Sequence, residues 1–260
     1  MLKDDDFKKL GEQGLTKVFS INQFFKYVNL NDGVEYILKN NTFKFTDPEE
    51  FNDPFDCNER MIDIVISPEI EKKFIIEAGK NHNLPRAEIR KQLNRIGDRR
   101  QYQQALKTKK KDFKVSCFSE IDDDVLMWSH YADSHKGICI GFNLDIMCAD
   151  YVFYPVNYIN QVQQIDGMAN TPYVFYYWVT FKADRWKYER EIRAITKTGQ
   201  SIINYPKDSV NEVIFGCNVK QSLIDATIKE LKKLRYNKIR FYKMEINEKT
   251  LLLRKTAIKI

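Results

Sequence analysis

The stretch RWKYEREIR (Arg185–Arg193) places two glutamates, Glu189 and Glu191, two residues apart among arginines and aromatics. Period two is the spacing of a β-strand, so alternation predicts that both carboxylates share one face. The run continues as Ile192, Ala194 and Ile195, which predicts a strand over 188–196 with one buried face. On this reading Tyr188, Arg190 and Ile192 lie on one side, and Glu189, Glu191 and Arg193 on the other. The two glutamates then either line a cleft or make surface ion pairs with Arg185 and Arg193, which contribute little.

Working outward, strands and helices do not alternate regularly. Strands are expected at Phe24–Leu30, Thr42–Asp47, Phe113–Glu120, Ile138–Leu144, Tyr151–Tyr158, Asn211–Asn218, Ile239–Ile246 and Leu251–Ile258. Short helices are expected at 31–41, where Asp32 is a candidate N-cap, and after the acidic Asp122–Asp124. The aromatic run 171–186 also reads as a helix, and Leu223, Ile224, Ile228, Leu231 and Leu234 mark an amphipathic one. Between the strands lies a helical, basic insertion over 67–112, opened by Ser67 as cap and Pro68 at the first helical position. The pattern predicts an α+β fold with mixed and antiparallel sheets, in a single domain over 1–260.

The chain has 260 residues and a formal net charge of +6. Much of the excess lies in 91–114, a segment that suits contact with nucleic acid and equally suits a solvated helix face. Five scattered cysteines, with no CxxC pair and no leader-like opening, read as reduced thiols and predict a cytoplasmic protein. No run approaches the ~20 apolar residues that span a bilayer. His82, His130 and His135 lack a zinc spacing with the cysteines, so no metal centre is expected.

Four further stretches stand out as chemistry-bearing: Lys26 and Tyr27 in the first strand, FNDPFD (Phe51–Asp56), SCFSE (Ser116–Glu120) and MWSHYADSHKGICIGF (Met127–Phe142). Asn52 and Asp53 before Pro54 also read as a turn that bonds its own backbone. Ser129 and His130 are adjacent, so on a helix they diverge by about 100° and form no nucleophile–base pair. No Gly-x-Ser-x-Gly elbow is present.

Together FKY, FNDPFD, SCFS, MWSHYADSHKGICIGF, YPVNY and W-x-Y-E-x-E-x-R resemble a bacterial family known as domain of unknown function 2971, over nearly the whole chain. The order of parts also resembles the ADP-ribosyltransferase fold, in which a late strand of one class carries Glu-x-Glu. That second resemblance implies an ADP-ribosyltransferase-like architecture and NAD as substrate. It makes Glu191 the catalytic carboxylate and Glu189 the acceptor-side one, with Tyr27, Ser129 and Tyr131 beside them. Lys26, Tyr27, Asn52, Asp53, Trp128 and His130 would hold the dinucleotide. A role in phage defence or as a toxin, with nucleic acid or protein as acceptor, would follow. The sequence departs from that pattern where Lys26 or Tyr27 stands for the usual His or Arg. Two other classes remain open: a nuclease with Mg²⁺ on Asp53, Glu189 and Glu191, and a non-catalytic ligand-sensing module with an aromatic cleft.

Overall fold

The computed structural model describes residues 1–82, 85–96, 98–167 and 169–259. In chain order it contains α1 (Asp4–Ser20), β1 (Phe24–Val28), α2 (Leu30–Asp32) running into a π-helical turn (Gly33–Leu38), β2 (Thr42–Lys44) and β3 (Asp63–Val65). There follow α3 (Pro68–His82), α4 (Arg86–Ile96), α5 (Arg99–Lys109), β4 (Val115–Ser119), α6 (Val125–Tyr131), β5 (Ile138–Phe142), β6 (Tyr151–Pro155), β7 (Asn157–Ile159) and β8 (Gln164–Asp166). The chain ends with α7 (Thr171–Thr180), β9 (Phe181–Ala183), β10 (Glu191–Thr196), β11 (Ile202–Asn204), β12 (Val210–Phe215), α8 (Gln221–Lys233), β13 (Arg240–Asn247) and β14 (Leu252–Ala257). This is the α+β class the sequence predicts.

The chain divides into two compact units. The first comprises 1–16, 47–113 and 157–184, and the second 17–46, 114–156 and 185–260. The second is built on an eight-stranded sheet of order β14-β13-β12-β5-β1-β4-β10-β6. Its pairs are antiparallel except β12–β13, which run parallel and are joined through α8, as a parallel pair needs a long crossover. One face carries an aromatic core in which Phe24, Phe43, Phe118, Phe142, Phe153 and Tyr205 interlock. The other face packs Phe25, Tyr27, Cys139, Ile214 and Met244 against Met127, Trp128 and Ala132 from α6 and its end. In the first unit β3 pairs with β8 and β7 with β9, both parallel, and it also holds α3, α4 and α5.

Several expectations are corrected. The segment 188–196 is not one strand. Asp184–Glu189 forms a 3₁₀ helix, Arg190 takes a left-handed φ of 43°, and β10 begins at Glu191. A residue at positive φ cannot continue the pleat, so alternation starts afresh after Arg190. Trp186, Tyr188 and Glu189 therefore stand on the 3₁₀ turn, and only Glu191 and Arg193 share a strand face.

The helix expected over 171–186 stops at Thr180, whose hydroxyl bonds back to the Tyr176 carbonyl, and the apolar run continues as β9. The strand expected over Tyr151–Tyr158 breaks at Val156 into β6 and β7, one in each unit. Asn29, not Asp32, caps the first short helix, by accepting from the Asp32 amide. The helix α1, which the polar opening concealed, has Asp4, Asp5 and Asp6 in its first turn, where carboxylates oppose the helix dipole.

Candidate functional site

The site grows from β4 and β10, neighbours toward one side of the eight-stranded sheet. Ile192 and Ala194 of β10 and Phe118 of β4 face the aromatic core. Alternation therefore turns Glu191, Arg193 and Cys117 to the opposite face, the face of Tyr27. Glu191 lies across from Ser119, and Arg193 from Cys117. The Arg193 guanidinium donates from Nε to Glu191 Oε1 at 2.8 Å and from Nη2 to Oε2 at 3.1 Å, a fork on both oxygens. Both side chains are buried, Arg193 wholly so.

Glu189 reaches the same neighbourhood from the 3₁₀ turn. It is 3% exposed, so its carboxylate needs donors, and the Tyr131 hydroxyl of α6 donates to Oε1 at 2.6 Å. The Glu189 carbonyl accepts from Ser119 Oγ at 2.7 Å, which ties the turn to β4. One residue earlier on each element, His130 Nδ1 lies 3.1 Å from the Tyr188 hydroxyl. Thus α6 grips the 3₁₀ turn through two consecutive side-chain pairs. The helix is set by Asp124, whose Oδ1 accepts from the amides of Leu126 and Met127.

Its far end is held by a left-handed run, Asp133, Ser134 and His135, whose φ values are 46°, 52° and 68°. Three successive non-glycine residues of this kind store backbone strain. Gly216 lets β12 end against the run, since a Cβ there would lie 2.1 Å from the His135 carbonyl oxygen.

Cys117 was not singled out as a site residue by sequence, though it lies within SCFSE. It is the one exposed side chain of β4, on a strand whose other residues are buried. Its thiol is pushed well above the usual range, chiefly by desolvation and then by the Glu191 charge. The thiol therefore stays protonated near neutral pH. Arg193 was expected on the face of the glutamates as a surface ion-pair partner; the structure buries it and forks it onto Glu191. The period-two spacing of Glu191 and Arg193 was the signal for their pairing.

The remaining expected residues separate. Tyr27 is buried, its hydroxyl donates to the Ile121 carbonyl, and burial raises its pKa far above the ordinary value. Trp128 is fully buried, edge-on to Tyr27, with its indole N–H on the Asp122 carbonyl, so its ring faces are not open to a ligand. Ser129 is half-buried on the same helix.

Lys26 shares the aromatic face with Phe24. Its ammonium bonds Ser116 Oγ and the Cys117 carbonyl, each at 2.9 Å, above the Phe118 ring. Desolvation brings its pKa down to about 8, against the opposing pull of the nearby Glu191 carboxylate. Asn52 and Asp53 belong to the first unit. There Asp53 Oδ1 accepts from the Phe55 amide at 2.9 Å, the turn the Asn-Asp-Pro sequence suggests. Asp56, the last residue of FNDPFD, pairs with Lys182 at 3.7 Å, both buried.

Among the described residues, no three His, Cys, Asp or Glu side chains form a set that could hold a metal ion. Nor is any helix among them long and apolar enough to cross a membrane. The fold and site define an α+β protein with a buried carboxylate–tyrosine–arginine cluster on β10, the last strand but one of its main sheet, and on the turn that leads into it. The family model for a protein of unknown function, DUF2971, matches residues 127–194, which run from α6 to β10 and so contain Tyr131, Glu189, Glu191 and Arg193. No curated protein and no solved structure matches the chain.

Proposed function

We propose that the Glu189–Glu191 cluster is the active centre of an enzyme that cleaves the nicotinamide–ribose bond of NAD and passes the ADP-ribosyl group to an acceptor or to water. The observation that carries this reading is the pair of buried carboxylates, one fixed by Tyr131 and the other by Arg193, beside the one exposed side chain of the neighbouring strand β4.

In this reaction the C1′–N bond breaks, and its electrons neutralise the pyridinium nitrogen of departing nicotinamide. The ribose carries oxocarbenium charge until the acceptor oxygen adds at C1′ and loses its proton. Fixed carboxylates favour that cation without having to reorganise. Glu191 stabilises the ribosyl cation, and Glu189 orients the acceptor and takes up its proton. Tyr131, Tyr188 and His130 supply the aromatic and polar rim. Lys26 and Trp128 support the fold of the site and do not touch the dinucleotide. The exposed Lys91, Arg95, Arg100, Lys107 and Lys111 of the first unit suit a phosphate-bearing acceptor, DNA or RNA.

The test is nicotinamide release from NAD, with and without DNA or RNA. It compares wild type with Glu191→Gln and Glu189→Gln, each checked for native circular dichroism. Release that drops about a hundredfold or more in folded Glu191→Gln supports the reading. Folded wild-type protein that releases no nicotinamide under any of these conditions rejects it.

A further inference from the structure

We propose that the first unit carries a second ligand site, a pocket for a small uncharged aromatic molecule of one ring or two fused rings. The pocket lies among the 55–61 segment, the 159–162 segment and the junction of α7 with β9. Its volume is about 190 Å³, and its walls are chiefly carbon, from Phe55, Cys57, Met61, Tyr177, Trp178 and Phe181.

Size limits the occupant. An engineered apolar cavity of about 150 Å³ holds benzene, so this pocket takes a phenol, an indole or a pyridine amide and little more. Polarity limits it further. The charged groups nearby are Lys182, which lines the pocket, and Asp56, and they are paired with each other. An ionised ligand would lose its hydration among carbon walls with no opposite charge committed to it. Asn160 and Gln161 line the pocket and are exposed, so their amides stand at its mouth, able to donate to or accept from one heteroatom on the ligand edge. Trp178 is 2% exposed, and its indole N–H has no hydrogen-bond partner.

The walls are preformed. Tyr177 stacks on Phe181 with ring centroids 4.1 Å apart. Cys57 is held at a left-handed φ of 47°. The Asn58 side chain donates to the Pro54 carbonyl and accepts from the Arg60 amide, which locks the 54–60 turn. A rigid hollow of this kind binds without an ordering cost. Left to itself it leaves aromatic surface uncovered, a standing cost to the fold that an occupant removes.

The experiment is calorimetric titration of the full chain with indole, with benzoate as the charged control of similar size. Indole is expected to saturate one site per chain with a Kd of about 1 mM or tighter, and benzoate to bind at least about tenfold more weakly. Two variants fill the pocket: Ala183→Phe from within and Gln161→Trp at the mouth. Each is expected to weaken indole at least about tenfold. The mouth variant decides the matter if the inner one does not fold. Absence of saturable indole binding overturns the proposal, as does equal binding by benzoate or an unchanged affinity in folded Gln161→Trp.

Discussion

Replacing Arg193 by methionine tests whether the fork on Glu191 holds β10 in the sheet. Methionine keeps much of the apolar stem and removes the guanidinium. Both Glu191 oxygens then lose the donors now at 2.8 and 3.1 Å, in a place where the side chain is 4% exposed and water is a poor substitute. Removing one partner of a buried pair typically costs about 3–5 kcal/mol. Total stability is typically about 5–15 kcal/mol, so the single variant is expected to lose a large part of what holds the second unit. The double variant Glu191→Leu with Arg193→Met removes the stranded charge as well. It is expected to recover at least about 2 kcal/mol of that loss, since residues in contact couple by about 0.5–3 kcal/mol. Urea unfolding followed by circular dichroism measures both, with the slope checked for constancy. A single variant within about 1 kcal/mol of wild type would refute the reasoning, and so would a double variant no more stable than the single.

Tyr131→Phe takes one charge-assisted hydrogen bond from Glu189 and is expected to cost about 1.5–3 kcal/mol, read as a lowered urea midpoint; an unchanged midpoint contradicts the role given to that hydroxyl. Lys26 titrates near 8 in the fold against 10.5 unfolded, so the unfolded chain holds the extra proton between those values. Wild-type stability relative to Lys26→Met should therefore rise from pH 8 to pH 10.5 and stay level below pH 8, and a falling difference over that window would contradict the burial argument. Gly216→Ala forces a Cβ to within 2.1 Å of the His135 carbonyl oxygen, and a loss of at least about 1–3 kcal/mol in thermal or urea unfolding is expected.

The α+β class was legible because the strands at 138–142 and 210–215 and the helix at 221–233 carry strong apolar patterns. The break at Arg190 was not, because nothing local in YEREIR distinguishes a left-handed arginine from an extended one. That one residue decides whether Glu189 and Glu191 come from one strand or from two elements. Tyr131 and Glu189 were both named, but their contact joins a helix to a turn 58 residues away, and local periodicity does not encode such contacts. Cys117 went unmarked because a central-strand cysteine reads as core. Its exposure depends on what covers the sheet, which no strand pattern specifies. The resemblance to ADP-ribosyltransferases made Lys26 a candidate contact for the dinucleotide. Strand parity turned it to the aromatic face instead, where Ser116 and the Cys117 carbonyl hold it.

The pairing of β1 with β4 has a mechanical consequence. These neighbours register at Phe25 and Ser119 alone, whereas β1 and β5 register over five positions. The Lys26 ammonium on the Cys117 carbonyl serves where a further ladder bond would fall. In its backbone ladder the sheet is therefore two laminae, one of five strands and one of three, joined by a single rung and otherwise by side chains: the Lys26 ammonium, the Tyr27 hydroxyl on the Ile121 carbonyl and the packing of Phe24 on Phe118. Strain applied across it concentrates at that fastening, so β1 and β4 should part before any other pair. Amide exchange along the facing edges of these two strands would then report the loosening. A molecule lodged against Tyr27 and Cys117 would act as a rivet through both laminae.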